Sequence, residues 1–218
     1  CREMPKQTRD APLRIFVDAF AALLNQDPDE PTIIANGGRL LTNLVEHDNW
    51  LDPAFAKPHP THYQQYLLHC DGSQRFCVVA FVWGPGQSTP IHNHTVWGLV
   101  GMLRGMEVVQ RYEMNGAIPV PTGAAQKFHP SEVEAVSPRI GDIHQVSNGL
   151  ADQPDDLGAV YVRSSSSREM STFTVNGRKR TRPRAVARCS RTRSAVSGRS
   201  MVLPVVGRPC ASTPAAAP

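Results

Sequence analysis

The chain has no apolar run approaching the roughly 18–20 residues that a membrane-spanning helix requires. Its opening stretch, "CREMPKQTRDAP", lacks the hydrophobic core of a secretion signal. Cysteine is scarce, at five residues in 218, odd in number and irregular in spacing. Cys1, Cys70, Cys77, Cys189 and Cys210 neither outline a disulfide framework nor form a Cys-x-x-Cys zinc site. These absences argue against a membrane partner and place the expected compartment in a reducing cytoplasm. Aromatic residues are also few, at 6%, which counts against a stacking platform for nucleic acid.

Charge is distributed unevenly. Residues 163–218 carry 12 Lys/Arg against the single acid Glu169, whereas residues 1–162 carry 11 Lys/Arg against 18 acids. The first part is balanced and periodic. The second, typified by "RKRTRPRAVARCSRTRSAVSGRS", is rich in Arg and Ser and too poor in apolar residues to build a core. Clustered arginines could neutralise phosphates, but with Phe173 the lone aromatic there, a nucleic-acid partner is disfavoured. The expected organisation is an N-terminal helical layer (1–62), a barrel core (63–162) and a basic, disordered or out-of-frame tail (163–218).

Periodicity supports that division. In "DAPLRIFVDAFAALLNQ", Leu13, Phe16, Val17, Phe20 and Leu24 recur at helical spacing, with Asp10 as a candidate cap and Pro12 in the first turn. A second helix is expected over 31–47, started by Pro31 and striped by Leu40, Leu41, Leu44 and Val45, with Gly37-Gly38 weakening its middle. From Tyr63 onward the texture changes to short β-rich runs cut by glycines: "RFCVVAFVWG", "WGLVGMLRG" and "MEVVQRYEM". "GAIPVPTG" reads as a turn-rich connector. Short strands with frequent turns predict a mainly β fold, an antiparallel barrel or sandwich behind a helical layer.

Eight histidines are present, and two of them, His92 and His94, stand at i, i+2. Alternate residues of a strand face the same side, so both imidazoles would enter one cavity. His144, in "GDIHQVSN" behind a glycine turn, could complete a three-histidine face. Neutral ring nitrogens suit iron, zinc, nickel or copper, and a site without a carboxylate leaves positive charge and open positions for an anionic ligand.

The stretch Gly86-x5-His92-x-His94-x3-Gly98-x6-Gly105 resembles the first cupin motif with its glutamate replaced by Gly98. Gly141-x2-His144-x3-Asn148 resembles the second, with Pro138 one residue early. Loss of the carboxylate is a feature of the cysteine dioxygenase (thiol dioxygenase) family. "FVWGPGQSTPIHNHTVWGLVGMLRGMEVVQRYE" is most similar to its bacterial branch associated with 3-mercaptopropionate. The likeness spans roughly residues 10–150. It implies a cupin (double-stranded β-helix, jelly-roll) barrel and non-haem Fe(II) on His92, His94 and His144. It further implies addition of both atoms of O2 to the sulfur of a small thiol carboxylic acid, 3-mercaptopropionate or cysteine, giving a sulfinate. In the family a strand residue partners the substrate carboxylate, here Gln65 (or Gln64 if the alignment slips) where the mammalian branch has arginine. The cysteine–tyrosine crosslink of that branch is not expected, because Gly98 stands near the cysteine position.

Departures begin after Asn148. The family's Ser-x-His-x-Tyr triad ends 17 residues beyond the third iron ligand. That count reaches Tyr161, but the serine and histidine positions hold Leu157 and Ala159. The branch's anion-binding arginine falls at Met170, with Arg168 two residues away. A shifted reading frame around 150–159 and again after about residue 180 would account for both the lost triad and the Arg-rich tail. A clean coding frame for these residues would refute that explanation. Three function classes follow: a thiol dioxygenase using Tyr161, with Gln65 and Arg168 toward the substrate; a catalytically impaired metal-binding cupin serving as a ligand-binding or structural module; and, least favoured, a nucleic-acid partner.

Overall fold

A computed structural model describes residues 11–150, 157–164 and 171–173. Two helices open the described chain, α1 (Ala11–Leu24) and α2 (Glu30–Val45), followed by a 3-10 turn (Pro53–Phe55). Ten strands follow: β1 (Gln64–Cys70), β2 (Phe76–Trp83), β3 (Ile91–Asn93), β4 (Gly98–Arg104), β5 (Glu107–Asn115), β6 (Ile118–Phe128), β7 (Val133–Val136), β8 (His144–Asn148), β9 (Leu157–Ser164) and β10 (Ser171–Phe173).

Both expected helices form, each for a local reason. α1 turns Phe16, Phe20 and Leu23 inward. α2 is capped by Asp29, whose side chain accepts from the Thr32 N–H at 3.0 Å, and Pro31 sits in its first turn. Asp10, the candidate cap of α1, lies outside the described residues. Gly37 is where the two helices and the sheet meet: a Cβ there would stand 2.7 Å from the Phe20 ring and 2.9 Å from Leu99.

The strands form two five-stranded antiparallel sheets, ordered β1-β2-β9-β4-β7 and β10-β3-β8-β5-β6. Period-2 alternation decides what each face meets. On β2 and β9, Val78, Ala80, Val82, Val160 and Val162 point to the helices and pack with Phe16, Phe20, Leu41 and Val45. The alternate residues Phe81, Trp83 and Ala159 point between the sheets and pack with Tyr63, Met102, Val109 and Val146. Full burial of one such Phe or Leu is worth about 1.5–3 kcal/mol, so the helical layer is built into the core.

"GAIPVPTG" is not a connector. Residues 118–123 begin β6, which pairs with β5 through Met114↔Pro119 and Tyr112↔Pro121. β6 is the end strand of its sheet, so it is hydrogen-bonded along one side only and can carry two prolines of equal parity without losing ladder bonds. Proline N atoms along the outer edge also deny donors to any strand approaching it. Ser171–Phe173 pairs with β3, so a strand from the stretch assigned to the tail joins the second sheet; residues 174–218 lie outside the described residues. Cys77 is free and buried, whereas Cys70 is disulfide-bonded. Among the described residues no helix is long and apolar enough to cross a membrane.

Candidate metal centre

Register brings the three histidines together. His92 on β3 lies opposite His144 on β8, and His94 follows just after β3. Gly141, at φ +74°, turns the chain into β8 in a conformation that costs glycine little. Two pins hold the strands in place. The His94 N–H donates to Asp142 Oδ2 at 2.8 Å. Thr89 exchanges bonds with Val146, its N–H donating to the Val146 carbonyl at 2.8 Å and its Oγ1 accepting from the Val146 N–H at 3.0 Å.

His92, His94 and His144 are all buried, and their ligand nitrogens lie within 4.8 Å of one another. His144 Nε2 is 3.1 Å from His92 Nε2 and 3.2 Å from His94 Nε2. Two imidazole nitrogens bound to one ion at about 2.1 Å stand roughly 3.0–3.4 Å apart, so the spacing fits a shared divalent metal. The outward-facing nitrogens agree. His92 Nδ1–H donates to the Pro90 carbonyl at 2.9 Å, which leaves Nε2 as the lone-pair atom. With His94 Nε2 likewise turned inward, Nδ1–H donates to Tyr161 Oη at 2.7 Å. His144 Nδ1 is buried without a partner.

Burial keeps all three rings neutral. It lowers His92 to about 4 and, reinforced by His92 and then Arg111, lowers His144 to about 3. His94 is pushed well below the usual imidazole range, first by burial and then by His92 and His144. Neutral imidazole is the form that binds a metal, so no proton competes with it near neutral pH.

Gly98 explains why no carboxylate joins this face from the first motif. A Cβ at 98 would stand 2.4 Å from Tyr161 Cε2 and 2.6 Å from Tyr161 Oη. The tyrosine ring occupies the space a side chain there would need. Its outer edge is closed by Phe81 in an edge-on contact at 5.8 Å, and burial raises its hydroxyl pKa.

Several residues absent from the sequence reading join the same cavity: Tyr63, Phe81, Trp83, Glu107 and Glu134 line it with the histidines and Tyr161. Glu134 pairs with Arg111. Burial, and secondarily Glu134, raises Glu107 to about 8. The strand alternation that places Val109 inside also places Glu107 and Arg111 on the same face of β5, a signal present in "EVVQR". Gln65 stands opposite Phe81 in the β1–β2 register, with its Oε1 buried and unpartnered, but it is not among the lining residues. Ala159 does line the cavity. Arg168 lies outside the described residues.

The fold and site define a class: a mainly β barrel of two antiparallel sheets in double-stranded β-helix style, with an α-helical N-terminal layer and three histidines able to hold a metal ion. No family model matches the chain. Solved structures similar to it include a double-stranded β-helix protein from Klebsiella pneumoniae, 15% identical over 56% of this chain and 93% of that one, with a TM-score of 0.43. A cupin-2 domain protein from Rhodospirillum rubrum is 14% identical over 54% and 69%, at 0.42. The polyketide cyclase RemF from Streptomyces resistomycificus is 17% identical over 54% and 75%, at 0.40.

Proposed function

We propose that the protein is a non-haem iron thiol dioxygenase, converting the thiolate of a small mercapto acid, 3-mercaptopropionate or cysteine, and O2 into the sulfinate. The observation that carries this reading is a site of three neutral imidazoles in which Tyr161 fills the space beside Gly98. Fe(II) held by His92, His94 and His144 would supply the charge that stabilises a thiolate near neutral pH and the redox chemistry for O2. The reaction balances without a further reductant: sulfur gives up four electrons, and both oxygen atoms form new bonds to it.

The chain's own residues have defined parts. His92 and His94 keep their Nδ1 protons on the Pro90 carbonyl and Tyr161 Oη, which fixes the ring tautomers. Tyr161 Oη, having accepted from His94, retains its own proton to donate into the cavity. The aromatic wall excludes water, protecting a reactive sulfur species from side reactions. Gln65 and Arg168 are the proposed partners of the substrate carboxylate.

A second reading, an impaired cupin that binds metal and ligand without turnover, draws on Ala159. It occupies the resembled family's histidine position and lines the cavity, so Tyr161 has no imidazole there to orient it. The test is anaerobic loading with Fe(II), then O2 uptake with 3-mercaptopropionate and with cysteine, and sulfinate detection by mass. Turnover that disappears in His92→Ala supports the dioxygenase. Iron bound at the histidines without O2 uptake for either thiol overturns it and supports the second reading.

A further inference from the structure

A charge that the proposed reaction does not use lies beside the metal cavity. Along β9, strand alternation sends Ala159, Tyr161 and Arg163 to the same face, and the first two line the cavity. Arg163 is buried, at 6% exposure, but is not among the lining residues. It stands opposite Gly98 on β4 and opposite Cys77 on β2. Tyr161 fills the space over Gly98 and is bonded to His94 Nδ1 at 2.7 Å. Arg163 is thus the next same-face residue after the tyrosine that orients His94. The Cys77 thiol is one of its hydrogen-bond partners, which holds the guanidinium in the barrel.

The guanidinium acts on the site through its field. Burial is the main cause of the low His94 pKa, followed by His92 and His144, and Arg163 pushes the same way. Burial raises the Tyr161 hydroxyl, and Arg163 opposes that rise more strongly than Asp142 reinforces it. A guanidinium does not lose its proton in a protein, and salt screens a buried charge poorly. The nearby carboxyls are otherwise engaged. Glu134 is paired with Arg111, burial followed by Glu134 raises Glu107 to about 8, and Asp142 accepts from the His94 N–H at 2.8 Å.

Three neutral imidazoles offset none of a divalent ion's charge, and Arg163 adds charge of the same sign. The ion alone is therefore disfavoured, whereas an ion carrying an anion relieves the repulsion. Linkage makes the two bindings mutually reinforcing.

We propose that Arg163 is a positioning residue for the metal site: its buried charge makes the three histidines retain a divalent ion together with an anionic ligand in preference to the ion alone. The inference rests on metal binding at His92, His94 and His144, and not on thiol oxidation.

Co(II), whose visible spectrum reports its ligands, tests this on the full chain in chloride-free buffer at fixed ionic strength. Co(II) affinity is measured by competition with a chromophoric chelator, and azide binding to the Co(II) protein by visible titration. Arg163→Met, confirmed folded by circular dichroism, should bind Co(II) at least threefold more tightly than wild type without azide. It should also bind azide at least threefold more weakly. Arg163→Lys, which keeps the charge, should resemble wild type in both, and Arg163→Gln replaces Arg163→Met if the latter does not fold. A merely structural role moves Co(II) affinity the other way, because a loosened site binds metal more weakly. Weaker or unchanged Co(II) binding in the neutral variant, or wild-type Co(II) protein that takes up no azide, overturns the proposal. The expected shifts in a protein that oxidises no thiol remove the dioxygenase and leave the role of Arg163. Thiol turnover with unshifted Co(II) and azide affinities does the opposite.

Discussion

Replacing Gly98 by alanine adds one methyl group against Tyr161, beside the three histidines. Its Cβ would lie 2.4 Å from Tyr161 Cε2 and 2.6 Å from Oη, far inside ordinary contact. The tyrosine cannot yield freely, because its hydroxyl is bonded to His94 Nδ1 and its ring abuts Phe81. Overpacking of this kind costs about 1–3 kcal/mol. Displacing the ring also forfeits the His94 bond, worth roughly 0.5–1.5 kcal/mol. Gly98→Ala should therefore be about 2–4 kcal/mol less stable than wild type in urea unfolding, with weaker metal binding because His94 loses its orienting partner. A double-mutant cycle isolates the cause. In a Tyr161→Ala background the clash is gone, and Gly98→Ala should cost about 0.5 kcal/mol or less. The reasoning fails if Gly98→Ala alone lies within about 0.5 kcal/mol of wild type, or if its cost persists without the tyrosine.

Other outcomes follow from the same structure. The three ligand histidines have folded pKa values below the ordinary 6.5. In metal-free protein their contribution is complete above pH 6.5 and lost as pH falls toward about 4, a change on the order of a few kcal/mol; urea unfolding that is flat from pH 7.5 to 4.5 would contradict this. Glu107 has the opposite sign, with a folded pKa raised to about 8. Its contribution is present below about 4.5 and lost as pH rises through 8, so Glu107→Gln should gain stability relative to wild type across that window, measured by the same unfolding series. Gly37 and Gly38 should respond in opposite directions to alanine. Gly38→Ala meets nothing within 4 Å and should stabilise by about 0.5–1 kcal/mol; Gly37→Ala drives a methyl into Phe20 and Leu99 and should lower the midpoint of thermal unfolding.

Legibility varied with how local the cause was. The i, i+2 histidine pair announced a shared cavity, and His144 behind its glycine turn was visible as the third donor. α1 and α2 followed from helical spacing, though Asp29, rather than Pro31 alone, starts the second. β6 was missed because Pro119, Pro121 and Gly123 carry turn chemistry; what makes a strand of them is β5 alongside, a partner that composition does not reveal. Glu107 could have been found, since it shares parity with Val109, but an acid on a strand is ordinarily read as solvated. Neither the fit of Tyr161 into the space beside Gly98 nor the Asp142 bond to His94 has any local signature. Both exist only once the sheets close.

The pairing of His92 with His144 across the two strands has a consequence for the order of events during synthesis. The third donor leaves the ribosome about 50 residues after the first two, and closing so long a loop costs entropy that local contacts do not repay. A nascent chain therefore presents only the His92–His94 pair, a weak and unselective clasp. Tight capture of a metal by all three would wait for β8 to seat beside β3, after the helical layer and β2 have been made. A metal taken up by these three histidines would thus meet a nearly finished barrel, whose spacing can disfavour an ion of the wrong size, and not an open chain that would accept whichever ion arrived first.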